Sequence, residues 1–550
     1  MRQSNRYLIA LVVALGMIPG LLDSSIVIVA LAPIRNALHS DTNVAQWIIT
    51  AFLLASAAVV AAGGYLANRF GRKRMFLLGV TVFTLGSLLC AIAPSIGWLI
   101  ASRVLQGIGG GALLPIGPAL AFDAFPKEER ARASAVVGIP LLLAPVFGPV
   151  VGGYLNDRFD WHSIFFVNLP VGALALVAAL VVLPRDQHEG TRRARFDYLG
   201  LLLSSAGIVA IVYALNLVTQ KDPGTVTAAN PTGNLYGWGA AVVWLLLGGG
   251  MALLGLFAIH ALWISRDPAL DLRQYGRRDF LVSSLLVWVT SITSFGALVL
   301  VPLYLEAVRL PHLSALQTGL AIMPVGAGAV VGVILSTTLY RALGPRHVVL
   351  IGALLATASA WVLAQSVQPT AGAAELLAAA RAHAPVPALA GPELLRWRLF
   401  FVGLSFTFIG IPVQTLALES LSGAALAKAT SLFTSTKLVF SSVGVAIVTT
   451  LLIDRTASRA TTLAQQLHAL APGAGTDPGD PRVAAALRAL EAQMAAQAGT
   501  WAIQGIFWLM CLGSLALIPL CLLLPGYRHR SQPAPSAALP AEKEGVTVGS

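Results

Sequence analysis

Charge is what this 550-residue chain has least of: Asp, Glu, Lys and Arg make up 11% of it, against 57% hydrophobic residues. Soluble domains carry about a quarter charged residues, so a water-facing surface of ordinary composition cannot be built from this sequence. Cysteine is scarce too, with three residues in all. Cys90, Cys511 and Cys521 each fall inside an apolar run, where they read as small packing residues and not as a disulfide or metal framework. A phosphate-binding glycine loop followed by Lys-Ser or Lys-Thr is missing, which removes ATP as a direct energy source. Paired His with Glu at metal spacing is missing as well, and the His residues sit mostly in loops. An intramembrane enzyme therefore finds no catalytic constellation, and no cofactor is expected.

What is present is apolar sequence in long runs, with a mean hydropathy of +0.78. Fourteen stretches are each about as long as the roughly 20 residues that cross a bilayer. They are predicted at 8–31, 45–67, 75–94, 97–122, 132–155, 162–183, 197–217, 237–263, 279–305, 315–339, 347–367, 398–420, 430–453 and 502–525. The fold class is therefore an all-α integral membrane protein solvated by lipid. The formal charge of +12 is not gathered into a stripe that would bind nucleic acid. With both termini cytoplasmic, about 23 of the 36 Lys and Arg fall in cytoplasmic segments, about 11 outside and about 2 within spans, so the positive-inside rule sets the orientation. Arg2 and Arg6 ahead of an apolar run and Ala30-Leu31-Ala32 have the shape of a secretory signal. Asp23 inside the run and Pro33 just after it argue for a retained span.

Basic linkers at 185–195 and 266–278 flank the expected helices at 197–217 and 237–263. Removing that pair leaves six spans before and six after, the parallel-repeat arithmetic of a large class of secondary transporter. The organisation expected is a six-helix bundle over 1–184, linkers and two inserted helices over 185–278, a second six-helix bundle over 279–525, and a disordered cytoplasmic tail over 526–550. A weak internal echo agrees: Leu66-Ala67-Asn68-Arg69-Phe70-Gly71-Arg72-Lys73 follows the second span, and Leu339-Tyr340-Arg341-Ala342-Leu343-Gly344-Pro345-Arg346 follows the second span of the later six. Two external segments, 368–397 and 456–500, exceed ordinary loop length. The second holds Val483, Leu487, Leu490 and Met494 at helical spacing, expected as a short helix lying on the outer face. The alternative is a helix that docks a partner such as a periplasmic adaptor protein.

Ionisable groups inside spans are costly and are functional candidates by default. Asp23 lies roughly 15 Å from the outer end of span one and Arg103 roughly 9 Å into span four, compatible depths for a pair. Proton coupling is one reading of that pair; a static ion pair orienting two helices is the other. Glu306, at the outer end of span nine, is a second proton site or a solvated end-of-helix acid. Glu419 and Lys437 are placed toward the cytoplasmic ends of spans twelve and thirteen as gate or interface charges. Trp288, Phe295 and Tyr304 on span nine, with Gln106 on span four, are candidates for an apolar substrate pocket, lipid contact or core packing being the alternatives for the aromatics.

Several motifs occur in order along the chain. Residues 63–74, Gly63-Gly64-Tyr65-Leu66-Ala67-Asn68-Arg69-Phe70-Gly71-Arg72-Lys73-Arg74, resemble the signature loop of the major facilitator superfamily, with Gly64, Leu66, Arg69, Gly71, Arg72 and Lys73 matching. Leu22-Asp23 with Ile26-Val27 and Val29-Ala30-Leu31, Gln46-Trp47 with Thr50-Ala51, and Arg103-Val104-Leu105-Gln106-Gly107 resemble that superfamily's drug exporters. Gly148-Pro149-Val150-Val151-Gly152-Gly153 in span five is similar to its antiporter motif. Trp161, Phe165-Phe166-Val167-Asn168-Leu169-Pro170-Val171-Gly172 and Asp197-Tyr198-Leu199-Gly200 resemble the fourteen-helix drug:proton antiporters of the EmrB/QacA type. The resemblance implies a major facilitator fold and a multi-pass protein of the bacterial inner membrane that exports lipophilic, often cationic, small molecules in exchange for protons, with lipid around it. It implies that Gly64, Asn68, Arg69, Gly71 and Arg72 form a cytoplasmic gate and that Gly148, Pro149, Gly152 and Gly153 seal the cavity against proton leak. Asn68 departs from the pattern, which has an acid that caps a helix of the opposite half. Asn accepts hydrogen bonds from a helix N-terminus without supplying the charge favoured there, so a weaker latch is expected. Rival cargoes for the same fold are a siderophore, a lipid or an organic acid, or a nutrient brought in by symport.

Overall fold

The computed structural model describes residues 3–40, 42–126, 129–186, 197–225, 234–310, 313, 315–368, 375, 392–470 and 481–525. Within them the chain is helix after helix: α1 (Gln3–Ala37), α2 (Thr42–Phe70), α3 (Arg72–Ala91), α4 (Ile96–Ala124), α5 (Arg130–Arg158), the single turn α6 (Ser163–Phe166), α7 (Asn168–Val182), α8 (Tyr198–Leu217), α9 (Ala241–Ile259), α10 (Arg278–Leu303), α11 (Ala315–Leu343), α12 (Pro345–Ser366), α13 (Pro392–Glu419), α14 (Gly423–Leu470), α15 (Pro481–Leu515) and the short α16 (Leu517–Leu522). Helices are the form such a sequence must take, because in hydrocarbon each backbone N–H and C=O needs a partner inside its own segment. Twelve helical stretches among the described residues are long and apolar enough to cross a membrane. Helices α5 and α10 overlap the fifth and ninth expected spans but are not among those twelve. The total of fourteen thus remains an expectation.

Lipid supplies no hydrophobic drive between helices, so close packing of small residues does the work. Helix α4 shows how. A Cβ on Gly107 or Gly111 would overlap the α2 backbone at Phe52 or Ser56, and one on Gly109 would overlap the α3 backbone at Phe83. The glycine stripe lets α2 and α3 close on α4 from two sides, and Ser56 Oγ donates to the Gly107 carbonyl (3.0 Å) to pin the first contact. A long core cluster including Val13, Phe76, Leu113 and Phe122 extends through Leu286, Leu416 and Phe433 of the later helices.

The sequence echo has a structural counterpart. Gly71 ends α2 at φ 99° and Gly344 ends α11 at φ 78°, each in the left-handed region that favours glycine and each immediately before the next helix. One expectation fails. The segment 456–500 is not a long loop with a separate short helix: among its described residues α14 runs on to Leu470 and the stretch up to Met494 opens α15. Leu463 and Ala498 pack with Ala460 and Met494, so Met494 of that apolar spacing meets a neighbouring helix. Val483, Leu487 and Leu490 have side chains outside the described set, as do all residues of the expected tail 526–550.

Candidate functional site

Asp23 on α1 is fully enclosed, and the Arg103 guanidinium on α4, 1% exposed, forms an ion pair with its Oδ2. Gln106 Nε2 and Asn168 Nδ2 both donate to Oδ1, at 3.0 Å each. Ser87 Oγ on α3 accepts from Gln106 (2.7 Å) and from Asn168 (3.4 Å). Arg103 also donates to Gln106 Oε1 (2.6 Å) and, through Nε, to the Ile48 carbonyl of α2 (2.9 Å). Its guanidinium lies 4.3 Å from the centroid of the Phe52 ring. Five helices thus converge on one carboxylate. A buried charge is tolerable only when paired and hydrogen-bonded in this way, and removing one member would leave the rest stranded.

The glycines of span five bear on the same place. Gly148 packs against Ser25 and Gly152 against Ile26, two and three residues beyond Asp23 on α1. Pro149 and Val150, on another side of α5, meet Gly319 at the start of α11. Gly153 faces open space. Helix α5 therefore connects the Asp23-bearing segment to the later half of the chain.

A second constellation lies at the end of the bundle carrying residues 64–73. Gly64 N–H donates to Ser431 Oγ of α14 (2.6 Å), and a Cβ at Gly64 would collide with the Ala427 carbonyl. One turn on, Asn68 Nδ2 donates to the Ala424 carbonyl (2.7 Å). Arg72 pairs with Asp123 of α4 and donates to the Gly423 carbonyl. Gly71 and Lys73 do something else. The Asp186 carboxylate fills the space beside Gly71 and accepts from the N–H groups of Lys73 (2.8 Å) and Arg74 (3.2 Å), capping α3. Lys73 Nζ in turn donates to the Leu180 and Leu183 carbonyls at the end of α7, at 2.8 and 2.6 Å. Arg69 stands in the last turn of α2, where a cation suits the helix dipole. Alongside, buried Arg130 of α5 donates from Nη1 to the carbonyls of Leu418 (2.9 Å), Glu419 (2.8 Å) and Leu421 (2.7 Å), and Ser134 Oγ lies 3.3 Å from Thr415 Oγ1.

The segments bracketing α8 and α9 are stitched into this end. Asp197 caps α8 by accepting from Gly200 N–H (3.0 Å), accepts from Ala269 N–H (2.9 Å), and lies 2.7 Å from His260 Nε2. Its own N–H donates to Tyr65 OH (2.9 Å) on α2. Lys428 of α14 pairs with Asp267, donates to the Pro268 carbonyl (2.8 Å) and sits 5.2 Å from the Tyr65 ring centroid.

A buried acid is thus paired with a buried base, and a second set of contacts joins residues 64–134 to residues 415–431 at one end of the bundle. The family model described as Major Facilitator Superfamily matches residues 13–445. The chain belongs to the Major Facilitator Superfamily. Among curated proteins this transporter is 34% identical over 431 residues to the "Multidrug resistance protein B homolog" of Mycobacterium tuberculosis, covering 78% of this chain and 73% of the relative. It is 29% identical over 460 residues to the "Multidrug export protein EmrB" of Escherichia coli, covering 82% and 81%. Among solved structures it resembles the MFS proton:xylose symporter XylE bound to 6-bromo-6-deoxy-D-glucose, with TM-score 0.52, 14% identity and coverage of 94% of this chain and 97% of that one. A bacterial homologue of the human lysosomal transporter Spinster, in an inward-facing unoccupied conformation, gives TM-score 0.51 at 15% identity over 95% and 98%. At such identities these two structures establish the fold. The matches are to transporters and not to enzymes, and with the helices above they make the chain a multi-pass membrane protein.

The structure decides between the alternative settings of several candidate residues of this superfamily member. Gln106 is not in a pocket: it is fully enclosed as the bridge between Arg103, Asp23 and Ser87. Tyr304, 1% exposed, packs among Leu300, Ala321, Leu363 and Phe507 in a core cluster. Trp288 stacks on Phe440 of α14 at 4.6 Å. The Phe295 side chain lies outside the described set. Glu306 is exposed in the π turn Tyr304–Val308 that follows α10. Asn68 donates to a first-turn carbonyl instead of accepting from a helix N-terminus, because an amide carries a donor as well as an acceptor and α14 offers α2 its carbonyls. Sequence reasoning missed the roles of Ser87, Asn168, Arg130 and Lys428. Asn168 lay within a quoted motif, but nothing in linear order places it beside Asp23, 145 residues away.

Proposed function

We propose that this transporter exports lipophilic small molecules from the bacterial cytoplasm across the inner membrane in exchange for protons, by alternating access of two six-helix bundles with α8 and α9 as an inserted pair. Both termini are then cytoplasmic, and the end carrying residues 64–73 is the cytoplasmic gate. The observation that carries the reading is the enclosed Asp23 carboxylate, whose charge is balanced by Arg103 and whose Oδ1 accepts from Gln106 and Asn168. Protonation would remove the charge that holds Arg103 and turn part of an acceptor into a donor, so α1, α4 and α7 would lose the geometry they now share. Helix α5, packed on α1 beside Asp23 and on α11 beyond it, is the route by which that change reaches the other bundle. Multidrug efflux as the task is supported by the names of the relatives in Mycobacterium tuberculosis and Escherichia coli.

The test is dye transport in proteoliposomes with an imposed pH gradient. Wild-type protein should concentrate a lipophilic dye on the acidic side. Asp23→Asn, which fixes the neutral state, should abolish accumulation while exchange down the dye's own gradient survives. An Asp23→Asn protein that still concentrates dye at the expense of the proton gradient would place coupling on another group.

A further inference from the structure

The buried and half-buried basic side chains around the helix bundle are nearly all neutralised. Arg103 has Asp23, Arg72 has Asp123, Lys428 has Asp267, and Arg130 has three carbonyls. Lys437 is different. Its ammonium has no hydrogen bond or ion pair among the described residues, only the ring of Phe406 on α13, whose centroid is 6.0 Å away. It sits about 14 residues into α14, roughly 21 Å from the start of that helix.

Lys437 faces inward. Trp397 and Phe401 of α13 are 78% and 48% exposed and mark the outer face of that helix. Phe406 comes nine residues after Trp397, about 180° round the helix, so the ring under the ammonium is turned away from lipid. Lys437 is nonetheless partly accessible, so its ammonium can be approached beside the Phe406 ring. One turn along α14, Phe440 carries the stacked Trp288 ring, whose buried Nε1–H has no acceptor among the described residues. A half-buried cation that meets no counter-charge among the described residues is costly inside an apolar bundle, and a ligand that brings the counter-charge recovers that cost.

We propose that Lys437 is the charge-selecting residue of the substrate site, and that the cargo is an aromatic or otherwise lipophilic molecule bearing an acidic group such as a carboxylate. This inference rests on the transporter reading above and narrows it, against the cationic cargo suggested by family resemblance. The acid would pair with Lys437 while aromatic surface lies against Phe406 and the Trp288 and Phe440 pair. A permanent cation would meet like charge and be disfavoured.

Equilibrium binding to the purified full-length protein in lipid nanodiscs tests this without any transport step. Three fluorescent probes share one ring system: 1-pyrenebutyrate, its methyl ester, and (1-pyrenylmethyl)trimethylammonium. The carboxylate should bind wild type about tenfold or more tighter than the cation, as expected for one charge-assisted contact. Lys437→Gln should lose about that factor for the carboxylate and leave the ester within about twofold, while Lys437→Arg keeps the order of preference. Unchanged carboxylate affinity in Lys437→Gln overturns the proposal. Should that variant also lose the ester, the wild-type order decides, and a cation-first order overturns the proposal. Binding in the expected order by a protein that never builds a dye gradient would refute the export reading and leave this one standing.

Discussion

Arg130→Met is the most direct probe of how the two bundles hold together. One guanidinium nitrogen serves three carbonyls at the end of α13, at 2.7 to 2.9 Å, from a side chain that is almost fully buried. Each buried acceptor left without a donor costs about 1–3 kcal/mol, and water entering the opened site recovers part of this, so a total near 3 kcal/mol is a fair expectation. That loss falls only on the state in which α5 touches α13. At about 1.4 kcal/mol per factor of ten, the equilibrium between this state and one open at that end should move roughly a hundredfold. Starting from ten to one in favour of contact, the contacting fraction would fall to about a tenth. Ser134 and Thr415 report on it: their hydroxyl oxygens are 3.3 Å apart, so Ser134→Cys with Thr415→Cys should form a disulfide rapidly under mild oxidation. Adding Arg130→Met should slow that cross-link several-fold. Arg132→Met is the control, since among the described residues Arg132 forms a half-exposed pair with Glu129 at 3.5 Å and such pairs contribute little. If Arg130→Met cross-links at the parental rate while thermal stability of the reduced protein is unchanged, the carbonyl clamp does not hold the bundles together.

Three further outcomes are expected. Asn68→Asp removes the donor to the Ala424 carbonyl and sets a carboxylate against it, so the same cross-link should slow by a few-fold, a loss of about 1 kcal/mol; a faster cross-link would mean that the acid turns to the α14 N–H groups. Lys428→Met should leave Asp267 and the Pro268 carbonyl without their cation and detach the 265–277 segment from α14, read as increased protease cleavage there; equal cleavage in wild type and variant would show that the contact is incidental. For orientation, Gly475→Cys in intact cells should react with an impermeant thiol reagent and Gly190→Cys should not, and the reverse pattern would invert the proposed topology.

Much of this protein is legible in linear order because lipid imposes a rule that acts on one segment at a time. A run of about 20 apolar residues must become a helix whatever surrounds it, so the positions of α1 to α5 or α10 to α13 follow from composition. The pairing of Asp23 with Arg103 followed from cost, since two opposite charges at similar depth in one bundle have little alternative to meeting. Helix length was less visible: α14 continues to Leu470, well past the expected end of its span, and Leu463 there packs against Ala498 of α15, a contact between segments that linear order does not show. What the tertiary structure alone decided is which polar groups share a space. Gln106 could have faced a cavity or a carboxylate, and the close approach of α3 to α4 at Gly86 turns it to the latter. Arg130 meets carbonyls 288 to 291 residues away, and the Lys437 ammonium, among the described residues, meets the ring of Phe406. Such encounters depend on helix rotation and on which neighbour lies opposite. Those are set by many small contacts summed over the bundle, and no single segment carries them.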